Sequence, residues 1–230
     1  MILPSINNPQ NLGDIESKVS MVVGHVKRVH LDISDGMFTP SFTWPLNHPD
    51  GRMADPDWQA IVKGEITLPF IDQVEYEVHL MVQDPEEYLD QWIAAGVTAI
   101  IAHASMIEAP HNMHQKLQTA GVKFGIAVTP IEYQIVDDVL FELADFIVVM
   151  GSNKVGYSGE KLTDESLKLI KELSSMIKKP IEIDIGVNKE TIGKLGKAGA
   201  TRFVSGTAIF KSPNQGHAID DLEKKSDNKS

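Results

Sequence analysis

Histidine and aspartate stand at alternate positions of one apolar segment of this sequence. His30 and Asp32, followed by Ser34, are separated by Leu and Ile residues. Successive side chains of a β-strand point to opposite faces, so the polar side chains would share one face and the apolar side chains the other. A buried imidazole and carboxylate need a charge-tolerant partner, such as a metal ion, a substrate or each other. This segment therefore predicts a chemically active site.

Two further segments repeat the pattern. His79 lies in an apolar segment at 78–82, and Asp184 lies in another at 181–185. Two imidazoles and two carboxylates that meet at one place could hold Zn²⁺, Mn²⁺, Fe²⁺ or Co²⁺, and the residue types do not choose among these ions. A single His or Asp on a strand is more often structural, but four suitable residues on three strands favour a functional site.

These residues must be positioned by the elements of the chain, in which eight strand-helix units can be followed. The predicted strands are 2–6, 29–34, 75–82, 98–103, 123–128, 146–150, 181–184 and 202–205. The predicted helices are 12–23, 57–63, 85–95, 110–120, 133–143, 164–177, 189–197 and a weak last one. Strands that alternate with helices indicate a parallel sheet, and eight such units favour a closed (β/α)8 TIM barrel over an open sheet.

Active sites of such barrels lie at the carboxyl ends of the strands, where the four residues fall. Other polar residues near these ends have different expected roles. Glu182 is expected in a polar layer inside the barrel, and His103 is expected to be structural or to support the site. His48 lies in a long loop at 39–56 and could meet a substrate.

Loop residues after the last three strands predict a second site, which would bind phosphate. Backbone N–H groups in such loops, together with a helix N-terminus, commonly bind phosphate in these barrels. The expected substrate-binding residues here are Gly156, Ser158, Gly159, Gly186, Gly206 and Thr207. A phosphate bound there would orient a short sugar chain across the metal site.

Composition excludes several classes of function. The 230 residues carry a formal net charge of -11 and include no basic cluster, which disfavours a nucleic-acid partner. There is no cysteine, which removes disulfides, thiolate nucleophiles and Cys-ligated zinc and fits a cytoplasmic protein. We expect no secretion signal and no membrane-spanning segment. One domain is expected at 1–223, with a disordered polar tail at 224–230.

Several segments carry a family resemblance over nearly the whole chain. They are LPSI at 3–6, HLD at 30–32, DG at 35–36, FTP at 38–40, VHLMV at 78–82, VM at 149–150, IEID at 181–184, GVN at 186–188 and GTAIF at 206–210. In this order they resemble the ribulose-phosphate 3-epimerase family. The resemblance implies an isomerase of carbohydrate metabolism, in the pentose phosphate pathway, that acts as a homo-oligomer on a small sugar phosphate.

The resemblance also implies roles for individual residues. One divalent metal ion (Zn, Mn, Fe or Co) would be bound by the two histidines and two aspartates, and Asp32 and Asp184 would also be the catalytic acid/base pair. Ser5 would lie near the substrate. Independently of the resemblance, Met81 and Met150 are expected in the core, with an apolar floor beneath a bound substrate as the alternative. Inversion of carbon 3 of a ketose phosphate, here ribulose 5-phosphate or xylulose 5-phosphate, needs one group to remove the proton and another to return it. The metal would stabilise the enediolate between the two steps.

The chain departs from the family pattern at residues and loops that are expected to contact the substrate. Ser34 stands where the family usually has Met, and Ile185 stands where it has the first of two glycines. Strand alternation is expected to turn Ile185 toward the helices, and the loops at 39–74 and 151–160 are expected to be extended or altered. These departures leave two alternatives open, a 3-epimerase of a different sugar or sugar phosphate and a non-catalytic sugar-phosphate-binding barrel. Schiff-base aldolase chemistry is disfavoured because we find no lysine at the carboxyl end of a strand.

Overall fold

A computed structural model of the protein describes residues 1–50, 52–157 and 160–227. In this part of the chain, eight parallel strands form a closed barrel in the order in which they occur. They are β1 (Ile2–Ile6), β2 (Arg28–Ser34), β3 (Glu75–Met81), β4 (Ala99–His103), β5 (Lys123–Val128), β6 (Phe146–Met150), β7 (Ile181–Asp184) and β8 (Arg202–Ser205). The predicted (β/α)8 barrel is therefore confirmed.

Helices connect the strands and cover the barrel. They are α1 (Leu12–Ser20), α2 (Pro56–Val62), α3 (Leu89–Ala94), α4 (Pro110–Ala120), α5 (Asp138–Leu143), α6 (Asp164–Met176), α7 (Ile192–Ala198), α8 (Thr207–Phe210) and α9 (Gln215–Asp227). Side-chain caps begin several of them; the Thr163 side chain, for example, accepts a hydrogen bond from Ser166 N at the start of α6. Gly121 ends α4 with a positive φ of 73°, which a residue without Cβ adopts readily.

Alternation along the strands separates two apolar layers. In β6, Ile147 and Val149 belong to the large cluster between the strands and the helices, whereas Phe146, Val148 and Met150 belong to a smaller cluster inside the barrel. The inner cluster is contributed by β4, β5 and β6. Buried polar side chains of β2, β3 and β7 occupy other parts of the interior. The interior is therefore apolar on one side and charged on another.

The long segment after β2 is anchored by aromatic packing. Trp44, in this segment, packs edge-on against Trp58 of α2, with ring centroids 5.4 Å apart. Trp58 in turn contacts Trp92 of α3 at 4.4 Å. All three rings are buried, so the segment is held against the side of the barrel. Ser41 and Thr43, just before Trp44, line a cavity together with Asp32 and Asp184.

Several predicted helix boundaries are wrong. Helix α3 begins at Leu89, after a 3-10 turn, rather than at 85, and α7 begins at Ile192 rather than at 189. The predicted helix at 133–143 is divided into a 3-10 turn at Glu132–Gln134 and α5, which begins at Asp138. The side chain of Asp137 accepts a hydrogen bond from Val139 N and so starts a new helix inside the predicted one. The first helix ends at Ser20 rather than at 23.

The predicted polar tail is helical over part of its length. Helix α9 continues to Asp227, so residues 224–227 are not the disordered segment that we expected. The helix packs through the buried Ile219 and Leu222, and Lys225 donates to the carbonyl of Lys189 at 3.1 Å. Residues 228–230 lie outside the described residues, and among the helices of the described part none is long and apolar enough to span a membrane.

Candidate active site

Four side chains meet at the carboxyl ends of β2, β3 and β7. His30, Asp32, His79 and Asp184 each offer one ligand atom, and these atoms all lie within 4.8 Å of one another. The parallel register pairs Asp32 with His79, which brings β2 and β3 together at the same height. The structure thus brings together the four residues that the sequence singled out, and their role as metal ligands stays a prediction.

His30 lies between carboxylates on both sides of its ring. Its Nδ1 is 3.0 Å from Glu77 Oε1, and its Nε2 is 3.2 Å from Asp32 Oδ1. Burial opposes a charge on the ring, but the interactions with Asp32, Glu182 and Glu77 outweigh it and raise the pKa of His30 well above its usual value. A cation at Nε2 would therefore compete with a proton there.

His79 is held by ring contacts. Its Nδ1 lies 3.6 Å from Asp32 Oδ1 and 3.8 Å from Asp184 Oδ2. Its ring stacks on that of His103 with centroids 5.2 Å apart. Burial lowers the pKa of His79, which favours the neutral imidazole that binds metals. His103 is itself oriented by Glu132, whose two carboxylate oxygens lie 3.2 Å from its Nδ1, and this fits the supporting role expected of it.

The two aspartates have unlike proton affinities. Burial disfavours the charge of Asp32, but its interactions with His30 and His79 prevail and lower its pKa far below the usual value. Ser5 Oγ also donates to Asp32 Oδ2 at 2.8 Å. For Asp184, burial and then the neighbouring charge of Asp32 raise the pKa to about 6. One carboxyl group thus holds its proton far more tightly than the other.

Unpaired polar atoms show that this cluster fits a divalent cation. His30 Nε2, Asp32 Oδ1 and both ring nitrogens of His79 are buried and have no hydrogen-bond partner among the described residues. Buried polar groups without partners are costly, and a cation between imidazole nitrogens and carboxylate oxygens would satisfy them. The donor set is that of Zn²⁺, Mn²⁺, Fe²⁺ or Co²⁺.

A cavity of about 110 Å³ opens beside the two carboxylates. Met81 and Met150 line it, as expected of an apolar floor, together with Ser34. The residues in its lining that we did not predict are Asn7, Asn8, Ser41, Thr43 and Tyr157. These come from loops, where no periodic pattern of the sequence could have indicated them. His48, for which contact with a substrate was only one possibility, is outside this lining.

A second cavity, of about 610 Å³, adjoins the first. Its lining includes four of the predicted substrate-binding residues, Ser5, Gly186, Gly206 and Thr207. Asp184 lies in the linings of both cavities, so the two form one continuous groove along the mouth. A ligand with a reactive end at the carboxylates could therefore place its other end at the loops after β7 and β8.

The loop after β6 differs from our expectation. Gly156 lines the first cavity rather than the second, and its carbonyl accepts a hydrogen bond from Ser41 Oγ at 3.0 Å. A Cβ at Gly156 would lie 2.6 Å from the side chain of Thr39, so this glycine permits close contact with the loop after β2. Ser158 and Gly159, also predicted to bind substrate, lie outside the described residues.

The prediction for Ile185 was wrong. Strand β7 ends at Asp184, and Ile185 has a φ of 77°, so alternation no longer determines its direction. Its side chain packs on the inner apolar cluster and lines both cavities instead of facing the helices. Glu182 lies two residues before Asp184 on the same face of β7 and is fully buried, where a polar layer was expected.

A comparison with known families agrees with these features. The sequence profile described as the ribulose-phosphate 3 epimerase family matches residues 1–210. The chain belongs to the ribulose-phosphate 3-epimerase family. The resemblance found in the sequence is thereby confirmed, as is the expectation of an isomerase-class enzyme.

Relatives of known name span most of the chain. A ribulose-phosphate 3-epimerase of Bacillus subtilis is 31% identical over 202 residues, covering 84% of each chain. Another, of Rhodobacter capsulatus, is 32% identical over 187 residues, covering 80% of this chain and 74% of the relative. A third, of Candida glabrata, is 29% identical over 202 residues, covering 83% of this chain and 78% of the relative.

Solved structures share the barrel of this family member. A 3-hexulose-6-phosphate synthase superposes with a TM-score of 0.66 at 16% identity, covering 98% of this chain and 99% of the other. An orotidine 5'-monophosphate decarboxylase from Sulfolobus solfataricus superposes with a TM-score of 0.64 at 14% identity, covering 99% of this chain and 98% of the other. At these identities the likeness shows the fold alone.

Proposed function

We propose that the protein is a metal-dependent 3-epimerase that interconverts ribulose 5-phosphate and xylulose 5-phosphate. The observation that carries the proposal is that Asp32 and Asp184, from two strands that are not neighbours, line one cavity beside two histidines. The family membership and the names of the relatives support the choice of reaction.

The geometry suits inversion at a carbon next to a ketone. Such an inversion removes a proton from one face of the carbon and returns one to the other face, so it needs two acid/base groups. Asp32 and Asp184 would take these two roles, and their order depends on the direction of the reaction. Ser5 holds Asp32 through the hydrogen bond to Oδ2, while the backbone N–H of Ile185 donates to Asp184 Oδ1 at 2.7 Å. These contacts keep both carboxylates aimed at the cavity.

The metal ion would be bound by His30, Asp32, His79 and Asp184. It would act as a Lewis acid, making the proton beside the substrate ketone easier to remove. Met81 and Met150 would exclude water from the reacting carbon. This exclusion would protect the proton that one carboxyl group carries between the two transfers.

The second cavity would hold the phosphate. Gly186, Gly206 and Thr207 lie there, where backbone N–H groups can approach an anion, and Lys161 and Lys194 also line it. A phosphate so placed would fix the carbon chain across the carboxylates, which is the positioning that proton transfer requires.

The test is turnover and metal content of one preparation. Purified protein supplied with Mn²⁺ or Zn²⁺ should interconvert the two sugar phosphates, and Asp184→Asn should lower kcat by roughly 10²- to 10⁴-fold because a proton-transfer group is lost. Asp145→Asn is a matched control, since Asp145 pairs with Lys123 near the other end of the barrel, at 2.9 Å. Undiminished turnover in Asp184→Asn would contradict the proposal.

A different sugar is the second candidate. Ser34 and Ile185, two of the departures from the family pattern, both line the cavity that would hold the reacting carbon. A panel of ketopentoses and ketohexoses, with and without phosphate, separates the candidates. Exchange of a substrate proton with deuterated solvent distinguishes any of these epimerases from a barrel that only binds sugars. The cytoplasmic location and the homo-oligomeric state stay predictions.

A further inference from the structure

A second layer of charge lies inside the barrel beneath the metal cluster. It consists of Glu77 of β3, Glu182 of β7 and Arg202 of β8, and the side chains of both glutamates are fully buried. Both carboxylates face His30 from below, with Glu77 Oε1 at 3.0 Å and Glu182 Oε1 at 3.4 Å from Nδ1. The metal-ligand set that the family resemblance implies, two histidines and two aspartates, includes none of these three residues.

Cations hold Glu77 in its place. The guanidinium of Arg202 contacts Glu77 Oε2 directly and donates through Nε to Glu182 Oε2 at 2.7 Å. Arg202 itself lies over the ring of Phe146 at 4.2 Å, which fixes its height in the barrel. Arg28 adds a weaker contact, with its Nη1 at 3.5 Å from Glu77 Oε2. One oxygen of Glu77 is thus bound to arginine and the other is left for His30.

This arrangement decides which nitrogen of His30 is free. When Nδ1 carries the proton and donates to Glu77, the lone pair of Nε2 points toward Asp32, on the side of the four-residue cluster. Metal-binding histidines commonly donate their other N–H to a carboxylate, which fixes the tautomer and the ring orientation. Glu77 is the better placed of the two carboxylates to accept this N–H. Glu182 lies farther from Nδ1 and is bound mainly to Arg202.

We propose that Glu77 is a positioning residue for the metal centre: it accepts the Nδ1 proton of His30 and so presents Nε2 to the cation. The inference rests on the proposed metal-dependent function. It differs from a purely structural role, in which Glu77 would serve only to neutralise Arg202. Metal affinity distinguishes the two, because a structural role would not act through His30.

The experiment is a titration of the metal-free protein with Co²⁺, which reports affinity and ligand geometry through its visible absorption. Glu77→Gln should raise the Kd for Co²⁺ by roughly 10- to 100-fold and change the spectrum. The control is Glu75→Gln, which removes a charge and an Arg28 partner from the same strand without touching His30; its Kd should equal that of the wild type. An unchanged Kd in folded Glu77→Gln would overturn the inference, and retained epimerase turnover in that case would leave the proposed function standing.

A double-mutant cycle gives the sharper result. In a His30→Gln background, Glu77→Gln should have no further effect on the Kd, because the residue through which it acts is gone. An equal loss in both backgrounds would assign Glu77 a structural role instead. Absence of Co²⁺ binding by the wild type would overturn both the metal centre and its positioning.

A measurement on the wild type covers the case in which Glu77→Gln does not fold. The imidazole ¹⁵N spectrum of the Zn²⁺-loaded protein should show His30 protonated at Nδ1 and without a proton at Nε2. A proton on Nε2 of the loaded protein would overturn the inference without any variant.

Discussion

Ser34 carries an unpaired hydroxyl into the cavity that the two aspartates line. Its Oγ is buried and has no hydrogen-bond partner within the described ranges, although its backbone N–H and carbonyl are both engaged by Thr43. An unsatisfied buried hydroxyl is costly unless a ligand completes it, so Ser34 is placed to bind an oxygen of the sugar. A methionine at this position could not make that contact.

Ser34→Ala should therefore lower kcat/KM for the sugar substrate. Loss of a hydrogen bond that contributes about 0.5–1.5 kcal/mol net should lower kcat/KM by roughly 2- to 10-fold on the substrate that the wild type uses. The matched control is Ser166→Ala, because Ser166 is equally buried but donates to the carbonyl of Met150 at 2.8 Å. That variant should lose stability and keep its kcat/KM. Equal kcat/KM values for Ser34→Ala and the wild type would remove Ser34 from the binding site.

The end of β7 is an element-level feature that shapes both cavities. Ile185 and Gly186 follow one another with φ values of 77° and 79°. For a residue with a Cβ the left-handed conformation costs roughly 1–2 kcal/mol, so the chain retains a strained isoleucine at the mouth of the barrel. The pair turns the chain away from the barrel axis, and so Ile185 lies over the cavity while Gly186 lies against the loop before α6.

Gly186→Ala should destabilise the protein more than a comparable change elsewhere. The added Cβ would lie 2.6 Å from the backbone nitrogen of Leu162, in addition to its unfavourable φ. Gly121→Ala is the control, because Gly121 has a similar φ of 73° but no atom within 4 Å of the new Cβ. In urea unfolding, Gly121→Ala should lower the free energy of unfolding by about 1 kcal/mol, and Gly186→Ala should lower it clearly more. Equal losses would show that the contact with Leu162 relaxes freely.

The barrel as a whole encloses two layers of charge on one side of its interior. In the lower layer, Arg202 contacts both glutamates and Arg28 lies 3.5 Å from Glu77, whereas the upper layer of Asp32 and Asp184 has only histidines beside it. A divalent cation would complete the balance of the upper layer. It would bind the folded state alone, because the four ligands come from three strands that only the closed barrel brings together.

Removal of the metal should consequently lower the stability of the whole molecule. A cation at 100 times its Kd stabilises the folded state by about 2.7 kcal/mol. For a domain of this size that amounts to a fall in Tm of roughly 5–10 °C on adding a chelator, restored by Zn²⁺ or Mn²⁺. Asp184→Asn, which lacks one ligand charge, should show a much smaller metal-dependent shift. The same Tm with and without metal in the wild type would speak against the metal centre.

Periodic patterns of residue type carried the predictions that were confirmed. The alternation of His30 and Asp32 with apolar residues, and its repetition around His79, required strands with one polar face, and the strand order of a barrel then joins those faces. Where a pattern ended, prediction failed. Ile185 lies one residue beyond its strand, and Asp137 starts a helix within an otherwise continuous apolar spacing.

The barrel, the family and the four residues that meet at its mouth could thus be predicted from the sequence, because each depends on local periodicity or on short segments. Three features could be seen only in the folded chain: the contact of Gly156 with Thr39, the position of Asn7 in the cavity, and the contacts of Glu77 with both His30 and Arg202. These depend on distances between residues far apart in the chain. Such distances are set only when the barrel closes, because closure fixes the height of each strand relative to all the others.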